Sequence, residues 1–329
     1  MANYKKSEAK EYAQEHFSGI FAASMTPFKA DGSTDEEGLR SNLRHWIDDL
    51  GIAGLFVNGK QGEFFSMTLA ERKRQFEIVL EEVGDRCRTI MSCSDENLDV
   101  VLELGRHAEN IGADWIIVHS PPLYFHTNVD AVLKEYYRYI ADQLDIGVAI
   151  WHQPDYNYIL EPEVCADIAQ LENIVAIKYS VDRDRYARLT DMTRGKLIVS
   201  TSSEDSWLEN ISELGWQVYL CSTPPFLMQT KVDQRMNEYT RLAMAGELNK
   251  ARTVRDTLNP VRTALKSTRP ADKPQAQQKY WADLLGQVGG PIRRPLLNLT
   301  DKEKAAVKAA FDSCGLQFEV TDAVAQLVD

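Results

Sequence analysis

Short apolar runs alternate with longer amphipathic stretches along most of the chain. The runs are Ile20–Met25, Gly54–Val57, Arg88–Ser92, Trp115–Val118, Val148–Trp151, Ile174–Lys178, Leu197–Ser200 and Val218–Cys221. They are too short for ordinary helices and rich in β-branched and aromatic residues, so they read as strands buried on both faces. Helical spacing follows each run, over 35–50, 68–83, 97–111, 128–144, 161–171, 183–193 and 203–214, and again after Pro224-Pro225. Thr34 with Glu37, and Thr68 with Glu71, have the spacing of capping boxes, and Pro162 suits a first helical turn. Eight such βα pairs predict a parallel sheet closed as a (β/α)8 TIM barrel. The GxGxxG turn of an open dinucleotide-binding sheet and the P-loop are both absent. Beyond Val232 no strand is evident, and helices are predicted over 232–245, 247–265, 276–288 and 300–313, interrupted near Pro260 and Pro270. The predicted organisation is a polar helix over 1–18, the barrel over 19–230, a C-terminal helical extension over 231–316 and a tail over 317–329.

The sixth run, Asn173-Ile174-Val175-Ala176-Ile177-Lys178, ends in a lysine. An ammonium at the end of a buried strand is costly to desolvate, so its pKa falls, and a neutral amine is a nucleophile. The alternative is a head group that reaches solvent. In a barrel the site lies where the strands end, which puts Lys178 among Ser24, Thr26, 58–63, Ser92, Cys93, 119–125, 151–153, Ser180, 202–205 and 222–224. A neutral amine there can condense with a carbonyl, and the resulting iminium acts as an electron sink. Gly59-Lys60-Gln61-Gly62-Glu63 follows the second run, and its glycines allow a tight turn that presents N–H groups to a small anion.

Charge and cysteine usage narrow the classes. The chain has 329 residues, 44% hydrophobic and 26% charged, with a net charge of −12. That balance, without a basic stripe, argues against nucleic acid or an anionic membrane as partner. No stretch approaches the ~18 apolar residues of a membrane span. The five cysteines are widely spaced without a CxxC pair, as expected of reduced thiols, and the segment from Met1 to His16 has no apolar core of a secretory signal. The expected location is cytoplasmic. His119 and His126 flank the loop after the fourth run, but no carboxylate or cysteine cluster joins them, and no catalytic metal is expected.

The residues at the strand ends match a family. The chain resembles the Schiff-base lyases related to dihydrodipicolinate synthase and N-acetylneuraminate lyase. The matching pieces are Met25-Thr26-Pro27-Phe28, Gly59-Lys60-Gln61-Gly62-Glu63-Phe64, Thr68-x-x-Glu71-Arg72, Gly112-Ala113-Asp114, Ser120-Pro121-Pro122, Trp151-His152-Gln153-Pro154 and Ile177-Lys178. The run from Gly289 to Leu296 is similar to the family's closing segment, so the likeness extends from about Gly19 to Leu316. It implies a class I lyase, an aldolase or dehydratase. In it Lys178 attacks the C2 carbonyl of pyruvate or a related 2-oxo acid, and Gly59, Lys60, Gln61 and Gly62 hold the carboxylate. It also implies no cofactor beyond the covalent Schiff base, and a homotetramer or homodimer.

The departures matter as much. The family's proton-relay tyrosine falls at Trp151, and an indole has no titratable proton to give. The two threonines of the usual loop are Lys60 and Gln61. A second relay tyrosine falls at Phe125 with Tyr124 beside it, and Tyr156 lies near the position of an aldehyde-binding arginine, so dihydrodipicolinate synthase activity itself is not expected. Gly62 to Ser66 is similar to 5-dehydro-4-deoxyglucarate dehydratases. His152, next to Trp151, is the candidate replacement acid/base, although successive strand side chains face opposite ways. The candidate site is therefore Lys178, His152 and Trp151 for catalysis, with Gly59, Lys60, Gln61, Gly62, Phe125, Tyr124 and Ser203 for binding. Ser203 also reads as a helix cap with Glu204 and Asp205 against the helix dipole. Lys60 reads as a ligand for a second carboxylate, a like-charge neighbour that lowers the pKa of Lys178, or a solvated loop residue. The alternative function is a ligand-binding or regulatory barrel that has lost catalysis.

Overall fold

A computed structural model describes residues 3–124, 127–156 and 158–318. Eight parallel strands carry the core: β1 (Gly19–Ala23), β2 (Gly54–Val57), β3 (Arg88–Ser92), β4 (Trp115–His119), β5 (Gly147–His152), β6 (Ile174–Tyr179), β7 (Ile198–Ser200) and β8 (Val218–Leu220). Each strand pairs with the next in sequence from β1 to β7, and β8 returns to β1. The seam between β7 and β8 is stapled by a side chain. Ser200 Oγ donates to Val218 O (3.0 Å) and accepts from Leu220 N (2.8 Å). This is the (β/α)8 barrel that the alternation predicts.

The strands are buried on both faces because α1 (Ala9–His16) covers the barrel's N-terminal end and helices ring its outside. The ring comprises α2 (Glu36–Arg44), α3 (Leu69–Val83), α4 (Leu98–Ile111), α5 (Val129–Gln143), α6 (Pro162–Ile168), α7 (Arg183–Met192) and α8 (Trp207–Leu214). The polar segment expected ahead of the core is part of it. Ala9, Ala13 and Phe17 are fully buried, and the Phe17 ring stacks on Trp115 at 4.7 Å and meets Phe21 at 4.5 Å. Gly54 is required beside this plug, since a Cβ there would lie 2.2 Å from the Phe21 ring. The Thr68–Glu71 capping box forms as predicted. The one at Thr34 does not: Asp35 takes the cap by accepting from Gly38 N at 3.1 Å, and Thr34 Oγ1 has no partner among the described residues.

The extension follows as α9 (Pro224–Leu227), α10 (Arg235–Met244), α11 (Leu248–Asp256), α12 (Asn259–Ser267), α13 (Pro274–Leu284) and α14 (Asp301–Ser313). Its closing segment returns over the barrel mouth. Arg293 Nη1 donates to Glu71 Oε2 at 2.9 Å, and Arg293 N to Glu63 Oε2 at 3.0 Å. Residues 319–329 of the expected tail lie outside the described residues.

Replacing Ser200 by Ala leaves the Leu220 amide buried without its acceptor. We expect a loss of ~1–3 kcal/mol, read as a lower urea midpoint at unchanged slope.

Candidate active site

Lys178 stands on β6 with 2% of its surface exposed. Its Nζ donates to Cys221 O at 3.1 Å and lies 4.7 Å from the centre of the Phe56 ring and 5.5 Å from that of Trp151. Burial pulls its pKa from 10.5 to about 7, Cys221 opposes the shift, and Lys60 adds to it. Water cannot solvate the charge there, so a large fraction of the amine is neutral near pH 7.

The register places four polar or aromatic side chains in one rung across adjacent strands. His119 of β4 is the partner of Trp151 of β5, Trp151 of Lys178, and Lys178 of Ser200 of β7. His119, like Trp115 and Ile117, therefore faces the barrel interior. Its ring meets Trp151 edge-on at 4.8 Å. Nδ1 faces Ser120 O at 2.6 Å and Nε2 faces Asp155 Oδ2 at 3.2 Å. Both partners are acceptors, so both bonds form only when each ring nitrogen carries a proton. Asp155 is held as a carboxylate, its pKa lowered to about 2 by the hydrogen bond from His119 and by Lys60.

The 59–63 loop closes over this rung. A 3-10 turn, Lys60–Gly62, presents its first amides ahead of the bond from Gly62 N to Gly59 O (3.0 Å). Gly62 packs so closely on Ser24 O and Thr26 Oγ1 that a Cβ would sit 3.2 Å from each. Lys60 Nζ binds Asp155 and donates to Gln153 Oε1 at 2.9 Å, and it too lies 5.5 Å from the Trp151 ring. Of its expected roles, the like-charge neighbour is the one this geometry favours over the solvated loop residue. Gln61 Nε2 donates to Ser222 Oγ at 2.7 Å. Glu63 then adopts φ +57°, unusual for a residue with a Cβ. It is fixed there by the buried Lys279, whose Nζ lies 2.5 Å from Oε1, and by the Arg293 amide.

His152 is not part of this rung, which corrects the role expected for it. It faces outward, between the barrel and its helices. Its Nε2 accepts from Leu160 N at 3.0 Å, which leaves Nδ1–H for Ser120 Oγ at 3.1 Å. Burial, then His119, lowers its pKa to about 4, so it is a neutral structural imidazole. Trp151 is buried, and its Nε1 has no partner among the described residues. Tyr124 is 82% exposed, and Phe125 and His126 lie outside the described residues. The Trp151 and Phe64 rings stand 6.4 Å apart, joined by Phe56. Ser203 is exposed and makes no side-chain cap, but it lines a cavity of about 330 Å³ beyond β7 and β8. Glu204 does not simply complement a dipole: it is buried and held by Arg262 Nη2 at 2.7 Å and Tyr239 Oη at 2.5 Å. The sequence reading missed Asp155, whose only signal is its place just after β5. Among the described residues no three His, Cys, Asp or Glu side chains converge as a metal site, and no helix is long and apolar enough to cross a membrane.

A barrel with one dry, half-neutral lysine amine at its strand ends defines an enzyme of the Schiff-base-forming class I lyase type. The chain belongs to the dihydrodipicolinate synthetase family, whose profile matches residues 16–313. A 4-hydroxy-tetrahydrodipicolinate synthase of Methanothrix thermoacetophila is 29% identical over 296 residues, covering 89% of this chain and 95% of that one. Among solved structures, a dihydrodipicolinate synthase from Thermotoga maritima superposes with a TM-score of 0.80 at 25% identity, covering 92% of this chain and 100% of that one. An N-acetylneuraminate lyase from Mycoplasma synoviae shares the fold, with a TM-score of 0.77 at 20% identity over 91% of this chain and 98% of that one.

The depressed pKa has a cost in stability. Below pH ~7 both native and unfolded Lys178 are protonated, and the full desolvation penalty applies. Between about 7 and 10.5 only the unfolded state keeps the proton, so stability rises with pH; above 10.5 the penalty is gone. Lys178→Met should therefore be ~3–5 kcal/mol more stable than wild type at pH 7, with the difference shrinking toward pH 10 in parallel denaturant titrations.

Proposed function

We propose that the chain is a class I lyase that condenses Lys178 with the C2 carbonyl of pyruvate or a related 2-oxo acid, and then breaks the C3–C4 bond or eliminates water across it, the electrons released at C3 passing to the C2 iminium. The observation that carries this is the Lys178 amine itself, with its pKa pulled to about 7 inside the barrel. The neutral nitrogen adds to the ketone, the carbinolamine oxygen leaves as water after taking up a proton, and the iminium accepts the electron pair of the bond that breaks. The substrate carboxylate fits the first amides of the Lys60–Gly62 turn, with the Lys60 ammonium beside it. No cofactor or metal is required, because the iminium is the electron sink.

The proton traffic that a tyrosine would carry at Trp151 falls to His119. It is on the interior face, on the far side of the indole from Lys178, with its Nε2 facing Asp155. Trp151 itself supplies a flat apolar floor and excludes water. Self-association as a homotetramer or homodimer belongs to this reading too, and sedimentation of the purified chain tests it.

Borohydride added with pyruvate should fix a reduced adduct on Lys178, seen as a mass increase on its peptide, and Lys178→Ala should abolish it. The rate of trapping should climb as pH rises through ~7, following the neutral amine. The absence of any adduct across a panel of 2-oxo acids would overturn the proposal. His119→Gln should still form the adduct but turn over ~10²–10⁴-fold more slowly.

A further inference from the structure

The cavity beyond β7 and β8 is walled by the residues that follow the amine's carbonyl partner, although Lys178 itself is not in its lining. Lys178 Nζ donates to Cys221 O, and the following residues, Ser222 and Thr223, line the cavity wall. Its far side is built by α12, α13 and the turn between them, and its volume is about 330 Å³.

Most polar groups around it are matched. Glu204 is held by Arg262, Asp205 by Lys266, Ser222 by Gln61, and Ser202 Oγ by Ser180 Oγ at 3.1 Å. Two buried groups are not. Thr223 is 0% exposed, and its Oγ1 has no partner among the described residues. Gln278 is 6% exposed, and its carboxamide makes no hydrogen bond among them. A buried hydroxyl left unpaired is destabilising, which a ligand in the cavity would relieve at Thr223, while the Gln278 carboxamide borders the same space. The charges also fail to cancel. Of the three cations in the lining, Arg262 pairs with Glu204 and Lys266 with Asp205, and Arg269, at an exposed position, has no ion-pair partner among the described residues.

We propose that this cavity is a subsite for the far end of the substrate, and that the substrate is a 2-oxo acid with a second carboxylate, bound by Arg269 with Gln278 and Thr223 along the connecting chain. This rests on the Schiff-base reading above and specifies its substrate class. A carboxylate fits better than a phosphate because a single guanidinium is uncommitted, and its planar fork matches one carboxylate.

The test is competition against pyruvate for borohydride labelling of Lys178 in the full chain, read by mass spectrometry. The competitors are 2-oxoglutarate, 2-oxoadipate and 2-oxopimelate, each compared with the 2-oxo monoacid of the same length. The best diacid should compete at ~10-fold lower concentration than its monoacid. Arg269→Met, at an exposed position that does not threaten folding, should erase that ratio when each protein is referred to its own labelling by pyruvate. Thr223→Val and Gln278→Leu should reduce it. Labelling by pyruvate with no diacid preferred would overturn the inference and leave the lyase reading standing. A preference that survives Arg269→Met would overturn it as well. No labelling by any 2-oxo acid would remove the lyase reading and this inference together.

Discussion

The exclusion of water from one amine is the constraint on which this molecule is built. Phe56 and Trp151 lie against Lys178 Nζ, and its one hydrogen bond among the described residues is to a backbone carbonyl. Neither ring nor carbonyl replaces the hydration of an ammonium, so the charged form is destabilised. A fold with less apolar area to spare could not carry that penalty. Here strands buried on both faces, plugged below by Phe17 and Trp115, supply it.

Above the amine the chemistry turns polar within one layer. Lys60, Asp155 and His119 form a linked polar chain over the indole, and Gln61 reaches across to Ser222. An indole stands where the family's tyrosine is expected, and the histidine on the next strand faces the same interior. The Lys60 ammonium sits at the mouth of a chain that is strongly acidic as a whole. Such a local field draws a small anion inward, whatever the sign of the outer surface.

How much of this the sequence disclosed follows from the length scale of each interaction. The alternation of apolar runs with helical spacing reflects local geometry, so all eight strands, the barrel and Lys178 were legible. The side a residue faces was harder. In Trp115-Ile116-Ile117-Val118-His119 every position is buried, so no polar alternation marks which residues look inward, and His119 passed for a loop residue while His152 drew the catalytic role. Pairings between distant segments, such as Asp155 with Lys60 or Glu204 with Arg262, left no local trace. The cap at Asp35 instead of Thr34 shows the same limit at its smallest, where two adjacent side chains compete for one helix end and only the backbone path decides.

The left-handed turn at Glu63 has a further meaning. The loop that shapes the pocket rim is locked by Lys279 and by the Arg293 amide, both supplied from near the chain's other end. A nascent polypeptide that had laid down all eight strands would still lack the clamp. The rim is therefore shaped only once the helical extension has packed back on the barrel, through residues 230 positions apart.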